Sequence, residues 1–363
     1  METSEPISVM ELQAASSPWR LFWQRLKRRK IAMAGGVILI VLYTISIFAG
    51  FLSPYAYDAT NDNAFFHQPV WPRFQGFRLV VPRSEPIPER DYAYQEDRAD
   101  TRPLHFFVRG SPYKLLGFIP CSIRLFGTGD DNYPIYLFGA DQFGRDVFSR
   151  LLYGSQISLS IGIVGILVSF SAGLIVGGIS GYFGGGVDTV LMRLCELIMS
   201  IPPLYLIISL RNTFPPSLSS VEIYAVIVII LSVIGWASLA RVIRGMALSL
   251  REQQFVMAAR AIGQSRLKVI CRHILPNTFS YVIVSATLSV PYYILGEVVL
   301  SFLGVGIQEP QASWGLMLNA ARDPEIIQRF PWLLVPGAAI FITVLAYNFL
   351  GDGLRDAADT KQN

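Results

Sequence analysis

The stretch QFVMAARAIGQSRLKVICRHILPN, residues 254–277, is a basic, amphipathic run between two hydrophobic blocks that carry no charge. Around its first half, Arg251 to Ile262 are good helix formers with apolar residues at helical spacing on one side. Gly263 suits the left-handed position that ends a helix, and Ser265 suits the N-cap of a second helix that leads to Pro276. The stretch therefore predicts two short helices joined by a sharp turn.

The composition indicates a membrane protein that also has an aqueous part. Of the 363 residues, 52% are hydrophobic and 15% are charged, and the mean hydropathy is +0.44. The net charge of +4 is small, and the basic residues flank hydrophobic blocks instead of alternating with aromatic residues, which argues against nucleic acid as a partner. The three cysteines and three histidines have no metal-ligand spacing, and no phosphate-binding glycine loop is present. We expect no metal site, no ATP site and no catalytic cluster in this chain.

Six segments are long and apolar enough for membrane helices, since a helix needs about 20 apolar residues to cross the hydrocarbon core. They are Ile31 to Ser53, Ile157 to Gly181, Val190 to Leu210, Ile223 to Ala240, Ile274 to Gly296 and Phe330 to Gly351. The third carries Arg193 and Glu196, three residues apart on one face, which predicts an ion pair near an interface. The first is too long for the core of a cleaved signal peptide, so we expect it to be retained.

Basic residues mark one side of the membrane. They are Arg20, Arg25, Lys27, Arg28, Arg29 and Lys30 before the first span, and Arg241, Arg244, Arg251, Arg260, Arg266, Lys268 and Arg272 after the fourth. The positive-inside rule then places both termini and the opening stretch in the cytoplasm. The predicted organisation is a cytoplasmic segment 1–30, a first transmembrane helix 31–53, an extracytoplasmic insertion 54–140, a transmembrane core 141–352 with a cytoplasmic loop 241–277, and a cytoplasmic tail 353–363.

The insertion and the segment after it leave alternatives open. Short apolar alternations such as FRLVV and PIYLF predict either a small domain with some β-structure or an irregular loop packed on the membrane core. Asp141 to Tyr153 predicts an amphipathic helix that leads into the second span. Glu297 lies near the outer end of the fifth span, where it either lines a pathway, pairs with Arg145 or bonds to a backbone turn.

Two functions fit the first helix of the opening stretch. Ala258 and Ala259 give that helix a low-relief surface, which suits close docking of another protein. An amphipathic helix that rests on anionic lipid would also be flanked by arginines. Spacing alone leaves both interpretations open.

The same stretch resembles a conserved loop of a known family. MAARAIG, nine residues, then HILP resembles the loop Glu-Ala-Ala-x3-Gly-x9-Ile-x-Leu-Pro of binding-protein-dependent ABC importer permeases. Met257 stands at the glutamate position and His273 at the first isoleucine. Both departures resemble the peptide/nickel branch of that family, in which the loop often reads RAARALG and RHILPN.

The resemblance extends along most of the chain. LFGADQFGRDVFSRLLYGSQISLSIG, residues 137–162, resembles a signature of the oligopeptide and dipeptide permease C-type subunit, with Ala140 and Gln156 as departures. GYFGGGVDTVLMRLCELIMSIP, LSFLGVGIQEPQASWGLML and LGDGLRDAAD resemble its later blocks in the same order. The resemblance therefore covers the first helix and residues 137–359, while residues 53–136 match nothing specific.

The resemblance implies an all-α polytopic membrane protein with six transmembrane helices and an extracytoplasmic insertion between the first two. It implies a non-catalytic subunit of a bacterial inner membrane importer for di- or oligopeptides, or alternatively for nickel chelates or sugars. The expected partners are a second homologous permease, two cytoplasmic ABC ATPases, an extracytoplasmic solute-binding protein and membrane lipid. No cofactor is expected in this chain, and ATP and Mg²⁺ are expected in the ATPases. A secondary transporter is a weaker alternative, because no internal repeat is evident.

The resemblance implies one group of site residues, and the positions of charged residues indicate a second group. The coupling residues are Met257, Ala258, Ala259, Arg260, Gly263, Leu275 and Pro276. Among them, Ala258, Ala259 and Gly263 are expected to form the docking core, and Arg260 either pairs with acidic groups of an ATPase or remains solvated or lipid-facing. The candidate pathway or outer-gate residues are Glu297, Arg145 and Asp146.

Overall fold

The computed structural model describes residues 18–87, 91–130, 132–215 and 218–359. Parts of the predicted cytoplasmic segments, residues 1–17 and 360–363, lie outside the described residues. The helices are α1 (Pro18–Arg28), α2 (Lys30–Ile47), α3 (Ala49–Leu52), α4 (Val147–Phe183), α5 (Gly185–Ser200), α6 (Pro203–Thr213), α7 (Ser220–Leu250), α8 (Gln254–Ala261), α9 (Arg266–Val269), α10 (Phe279–Phe302), α11 (Trp314–Asn319), α12 (Pro324–Arg329) and α13 (Val335–Ala358). The strands are β1 (Arg73–Gln75), β2 (Arg78–Pro86), β3 (Tyr94–Pro103), β4 (His105–Leu115) and β5 (Ile119–Gly127).

The described residues contain five helical segments that are long and apolar enough to cross a membrane. They are Lys30–Ile47, Val147–Phe183, Ser220–Leu250, Arg266–Phe302 and Pro331–Ala358. A sixth crossing is obtained if α5 and α6 together form one broken span. The helical polytopic fold predicted from the apolar segments is therefore confirmed.

The third predicted span, Val190 to Leu210, is not one continuous helix. α5 and α6 meet at an angle of 88°. The prolines at 202 and 203 lack the amide protons that would continue the helix, and a proline also forces the residue before it out of the helical region. Ile201 accordingly has an extended backbone with ψ of 128°. The prediction of an uninterrupted third span is wrong at these two prolines.

The centre of the membrane part is the pairing of α4 with α7. Glycines recur every fourth residue along the α4 face that meets α7, and this spacing lets two helix backbones approach closely. A β-carbon added at Gly177 would lie 2.5 Å from the carbonyl oxygen of Ala240, and one at Gly181 would lie 2.5 Å from that of Arg244. α10 also packs on α4, and α13 packs on both α2 and α10.

The insertion contains two antiparallel sheets, so β-structure is confirmed and the irregular-loop interpretation is wrong. One sheet has the order β1-β2-β3 and the other pairs β4 with β5. The pairing of β2 with β3 shifts register between Pro82 and Arg83. The fully buried Arg124 of β5 donates hydrogen bonds to the carbonyl oxygens of Ser53 (2.9 Å) and Tyr55 (2.8 Å), which ties this sheet to the end of the first span.

The helix predicted from Asp141 begins instead at Val147. Residues 141–146 form a turn in which Gly144 has a φ of +68°, and the Asp141 carboxylate accepts the amide protons of Phe143 and Arg145. Asp146 then caps α4, because its carboxylate accepts the amide proton of Ser149 at 2.8 Å. The left-handed glycine breaks any helix before this cap.

Candidate functional site

The predicted turn at Gly263 forms as expected from its sequence. Gly263 has a φ of +80°, and its N–H donates to the carbonyl oxygen of Arg260 at 2.9 Å. The N–H of Gln264 donates to the carbonyl oxygen of Ala259 at 3.1 Å. These two bonds are the Schellman motif, which closes the end of a helix with a left-handed residue. The conformation predicted for Gly263 is therefore confirmed.

α8 buries one face in its own chain and exposes the other. Val256 and Ala259 are buried, at 0% and 4% exposure, in a cluster with Tyr182, Ala247 and Ile274. Ala259 is thus not on the outer surface, and its small side chain serves packing within this chain instead of the predicted docking surface. The predicted apolar stripe of α8 is divided between the two faces.

The outer face of α8 exposes apolar side chains, although α8 lies beyond the end of the membrane-spanning helices. Phe255, Met257 and Ile262 are exposed by 43%, 49% and 76% of their surface. Ala258 is also exposed and lies between them along the helix. Exposed apolar groups that form a patch mark interaction surfaces in proteins. We call Phe255, Met257, Ala258 and Ile262 the α8 face.

The chain after the turn is wound differently from the prediction. Ser265 has the extended backbone of an N-cap but makes no capping bond with its side chain. The predicted helix to Ile274 holds for four residues and then widens into a π turn, Ile270–Ile274, followed by a 3₁₀ turn, Leu275–Thr278. Pro276 has no amide proton to donate, which disfavours a regular helix here.

The side chains of this segment hold it against the end of α4 that contains Gly178 and Tyr182. Leu275 packs at Gly178 of α4, where a β-carbon would lie 3.1 Å from its Cδ2, while Pro276 is exposed. His273 Nε2 lies 3.0 Å from Oε1 of Gln264, so the histidine that departs from the family loop closes the turn around Gly263. The Arg260 guanidinium lies 4.7 Å from the ring centre of Tyr182.

An ion pair that the sequence reasoning missed locks three helices beside α8. Arg244 of α7 donates to both carboxylate oxygens of Asp188 in α5, each at 2.6 Å. The hydroxyl of Ser180 in α4 donates to the same carboxylate at 2.5 Å. The two charged residues are 56 positions apart, so no local pattern pairs them. Sequence alone gives only the weak signal of an acidic residue next to a glycine turn.

A second charged cluster lies at the opposite end of α4. The Arg145 guanidinium donates to both carboxylate oxygens of Glu309, at 2.5 and 2.9 Å, and to Asp141 at 2.8 Å. Arg150 donates to Glu309 at 3.3 Å. Burial works against the charge of Arg145, but the bonds and charges of Glu309 and Asp141 outweigh it and raise the pKa of Arg145. We call Asp141, Arg145, Arg150 and Glu309 the outer ion cluster.

Glu297 is not exposed in this conformation, as a residue that lines an open pathway would be. It is fully buried, and its carboxylate accepts hydroxyl protons from Ser158 at 2.9 Å and Ser301 at 2.7 Å. The predicted alternative of pairing with Arg145 is wrong, because Glu309 occupies that position. Glu297 joins α4 to α10 as a hydrogen-bonded buried group.

Asp146 is likewise buried and acts as the helix cap described above. Burial raises the pKa of Asp146 to about 7, although its hydrogen bonds from Ser149 and Phe148 oppose that shift. The three candidate outer-gate residues therefore do not form one site. Only Arg145 belongs to the outer ion cluster.

Comparison with known proteins agrees with this architecture. The family described as binding-protein-dependent transport system inner membrane component matches residues 173–363. The family described as the N-terminal TM domain of oligopeptide transport permease C matches residues 17–69.

Three relatives are named for the transport of dipeptides, oligopeptides or glutathione. The dipeptide transport system permease protein of Bacillus subtilis is 34% identical over 93% of this chain and 84% of its own length. The glutathione transport system permease protein of Escherichia coli is 33% identical over 95% of this chain and 91% of its own. The oligopeptide transport system permease protein of Haemophilus influenzae is 42% identical over 62% of this chain and 70% of its own. The membrane-spanning helices, the turn at Gly263 and these matches together show that the chain belongs to the binding-protein-dependent transport system inner membrane components, as a permease of an ABC importer.

Proposed function

We propose that this chain is one of two related permease subunits of an ATP-driven importer of di- or oligopeptides. A second homologous permease forms the other half of the pathway, and an extracytoplasmic solute-binding protein delivers the substrate. Two cytoplasmic ABC ATPases hold ATP and Mg²⁺, while this chain holds no cofactor and catalyses no reaction. Relatives named for dipeptide, oligopeptide and glutathione transport support the substrate class.

The α8 face carries the coupling role. Val256 and Ala259 fix α8 from behind, and the Schellman bonds at Gly263 fix its end, so the helix is a rigid projection with an apolar surface. We propose that this face seats in a groove of one ATPase. Closure of the ATPases around ATP then moves α8 as a lever, and Leu275 passes that movement to α4 through its contact at Gly178.

We propose that both termini and α8 are cytoplasmic and that the sheets are extracytoplasmic, in a bacterial inner membrane. The ends of the chain support a common side, since Arg29 and Asp356 form an ion pair at 3.2 Å and Arg25 donates to the carbonyl oxygen of Asp359. α8 packs at the Tyr182 end of α4, and Phe126 of β5 lies beside Phe148 at the other end of α4. These contacts agree with the distribution of arginine and lysine.

The coupling role is tested by placing a charge on the α8 face. Ile262→Glu should release the ATPase subunits from the purified importer and abolish ATP-dependent uptake of a labelled tripeptide, because a carboxylate would be desolvated in the groove. Val221→Glu is the matched control, since Val221 is 78% exposed in the first turn of α7 at the other end. Retention of the ATPases and of uptake by Ile262→Glu would show instead that α8 rests on lipid.

The orientation is tested with single cysteines. Cys271 is exposed in the π turn Ile270–Ile274, which packs beside α8, and Phe77 is fully exposed between β1 and β2. In a background with the other cysteines replaced by serine, a membrane-impermeant maleimide should label Cys271 only in inside-out vesicles. It should label Phe77→Cys only in right-side-out vesicles. Labelling in the opposite vesicles would reverse the proposed topology.

A further inference from the structure

A groove opens beside the break between α5 and α6. It has a volume of about 480 Å³ and is lined by Met199, Ile201 and Pro203 at the break, by Gly235 and Ser238 of α7, and by one face of α10. This volume is in the range of small-molecule sites, about 300–1,000 Å³.

The broken backbone indicates that the groove does not face lipid. Within the hydrocarbon region, non-helical backbone is tolerated only where it is covered by protein or lines a water-filled cavity. Ile201 has an extended backbone and is 38% exposed at the groove. A lipid-facing break would leave its peptide groups without hydrogen bonds.

The α10 face in the groove carries a row of hydroxyl groups, with Leu288 and Tyr293 beside the row. Tyr281, Ser285, Ser289 and Tyr292 follow one another at spacings of four, four and three residues, so they share one side of the helix. The row spans roughly 16 Å along the helix axis, or about half of the hydrocarbon thickness. Tyr281 and Tyr292 keep 38% and 43% of their surface exposed. Close packing between membrane helices favours small residues instead of two exposed tyrosines.

The groove contains polar groups but no charge among the described residues that line it. Arg241 lies at its rim, where it donates to the sulfur of Met199 at 3.8 Å. Hydroxyl groups both donate and accept hydrogen bonds, so they can pair with peptide N–H and C=O groups alike. A fixed charge would instead attract one class of side chain and repel another.

We propose that this groove is the part of the peptide passage that this chain contributes, and that its hydroxyl row binds the peptide backbone without selecting side-chain charge. The proposal rests on the proposed import of peptides. It identifies the surface that the substrate contacts after it leaves the solute-binding protein. Charge selection, where the importer shows any, then arises before the groove.

Charged substitutions in the row test the proposal. The complete importer in proteoliposomes is given three tripeptides, Ala-Lys-Ala, Ala-Gln-Ala and Ala-Glu-Ala, and each rate is divided by the wild-type rate so that selection by the binding protein cancels. Ser289→Lys should lower the normalised rate of the Lys peptide about tenfold relative to the Glu peptide, and Ser289→Asp should do the reverse. Ser289→Ala should keep the three normalised rates equal.

Ser171 supplies the matched control. It is an exposed serine on α4, outside the groove, whose hydroxyl donates to the carbonyl oxygen of Leu167. Ser171→Lys and Ser171→Asp should leave the ratios of the three rates unchanged.

Two results would overturn the inference in different ways. If Ser289→Lys and Ser289→Asp each change the normalised rates of all three peptides equally, the groove does not contact the peptide. This conclusion holds whether or not the variants also lose the second permease. Failure of the wild-type importer to take up any of the three peptides would contradict the proposed function itself.

Discussion

Gly263 is the residue whose backbone conformation fixes the end of α8, on which the proposed coupling role depends. Its φ of +80° lies in the left-handed region, and a β-carbon there would meet no neighbour within 4 Å. Any penalty of substitution is therefore conformational, about 1–2 kcal/mol for an L-residue. Gly263→Ala should reorient α8 or loosen its end and lower ATP-dependent uptake, whereas Gly263→Asn should retain more uptake because asparagine tolerates this conformation.

Gly245 is a suitable control for that prediction. It lies within α7, has no neighbour within 4 Å of an added β-carbon and has no left-handed backbone. Gly245→Ala should preserve uptake and raise the thermal stability slightly, since alanine favours helices. Equal uptake by Gly263→Ala and Gly245→Ala would contradict the proposed role of the turn.

Glu309 is a second single residue whose substitution should have a large effect, in this case on stability. It accepts hydrogen bonds from Arg145 and Arg150, whose side chains are 7% and 2% exposed. Glu309→Gln leaves these two buried cations with Asp141 as their remaining carboxylate in the outer ion cluster. Loss of one partner from a buried ion pair typically costs about 3–5 kcal/mol, and since Glu309 itself is 41% exposed we expect the lower part of that range.

The stability of the purified protein against heat in detergent measures this effect. Glu85→Gln is the control, because Glu85 and Arg83 form a pair whose side chains are 61% and 43% exposed. An exposed pair contributes at most about 1 kcal/mol. A shift in melting temperature for Glu309→Gln no larger than that for Glu85→Gln would show that the cluster is not an electrostatic lock.

The pKa shifts of His67 and Asp146 have opposite effects on how the stability of the protein depends on pH. Burial lowers the pKa of His67 to about 4, against the opposing effect of the hydrogen bond that its ring donates to the Gln68 carbonyl oxygen. A lowered pKa gives stability that is present above the unfolded value, about 6.5, and lost as pH falls toward 4. The raised pKa of Asp146 has the opposite sign, because its stability is present below about 3.9 and lost as pH rises through about 7.

Thermal unfolding of wild type between pH 4 and 7 should therefore change little from these two groups. His67→Gln removes the histidine titration, so the variant should become more stable as pH falls through this range, while the wild type does not. The difference between the two proteins should reach about 3 kcal/mol at pH 4. Parallel pH profiles of the two proteins would contradict the lowered pKa of His67.

At the scale of elements, local sequence predicts what local interactions determine. The end of α8 at Gly263 and the apolar length of the spans follow from residues that are neighbours in sequence. The break between α5 and α6 also has a local cause, the prolines at 202 and 203, although apolar length alone predicts an unbroken span. The start of α4 at Val147 depends on Gly144 and the Asp146 cap. The helical spacing of apolar residues does not predict either of these features.

The sequence alone could not predict which side chains of distant elements pair with each other. Arg145 and Glu309 are 164 residues apart. Until the helices are placed, either Glu297 or Glu309 could be the carboxylate that pairs with Arg145. Asp188 and Arg244 pose the same problem. Which face of α8 is buried depends on where α4 ends, so the exposure of Ala258 and the burial of Ala259 could not be told apart from spacing alone.

The contact of α4 with α7 makes a prediction at this scale. Gly177→Ala would place a β-carbon 2.5 Å from the carbonyl oxygen of Ala240, so the two helices must separate. Overpacking of this kind costs about 1–3 kcal/mol, and the melting temperature and yield of the importer should fall. Gly186→Ala is the control, because a β-carbon there meets nothing within 4 Å. Equal stability of both variants would contradict close packing of α4 on α7.

At the scale of the whole molecule, Arg124 joins the sheets to the membrane core. It is fully buried, and besides Ser53 and Tyr55 it donates to the backbone and side chain of Ser111 in β4. One side chain thus links β5, β4 and the end of the first span. Its Nη1 and Nη2 atoms donate to neutral oxygens, so the link does not need a carboxylate partner.

Arg124→Met keeps much of the volume but removes all of these hydrogen bonds. Carbonyl oxygens of residues 53 and 55 then lose a charged donor, and each such bond contributes about 1.5–3 kcal/mol. We expect the insertion to loosen while the spans remain folded, so limited proteolysis should cut residues 54–140 at least about tenfold faster, with the membrane core still intact. Arg109→Met is the control, since Arg109 is exposed on β4. If both variants are cut at the wild-type rate, the sheets are held by other contacts and Arg124 is not the link.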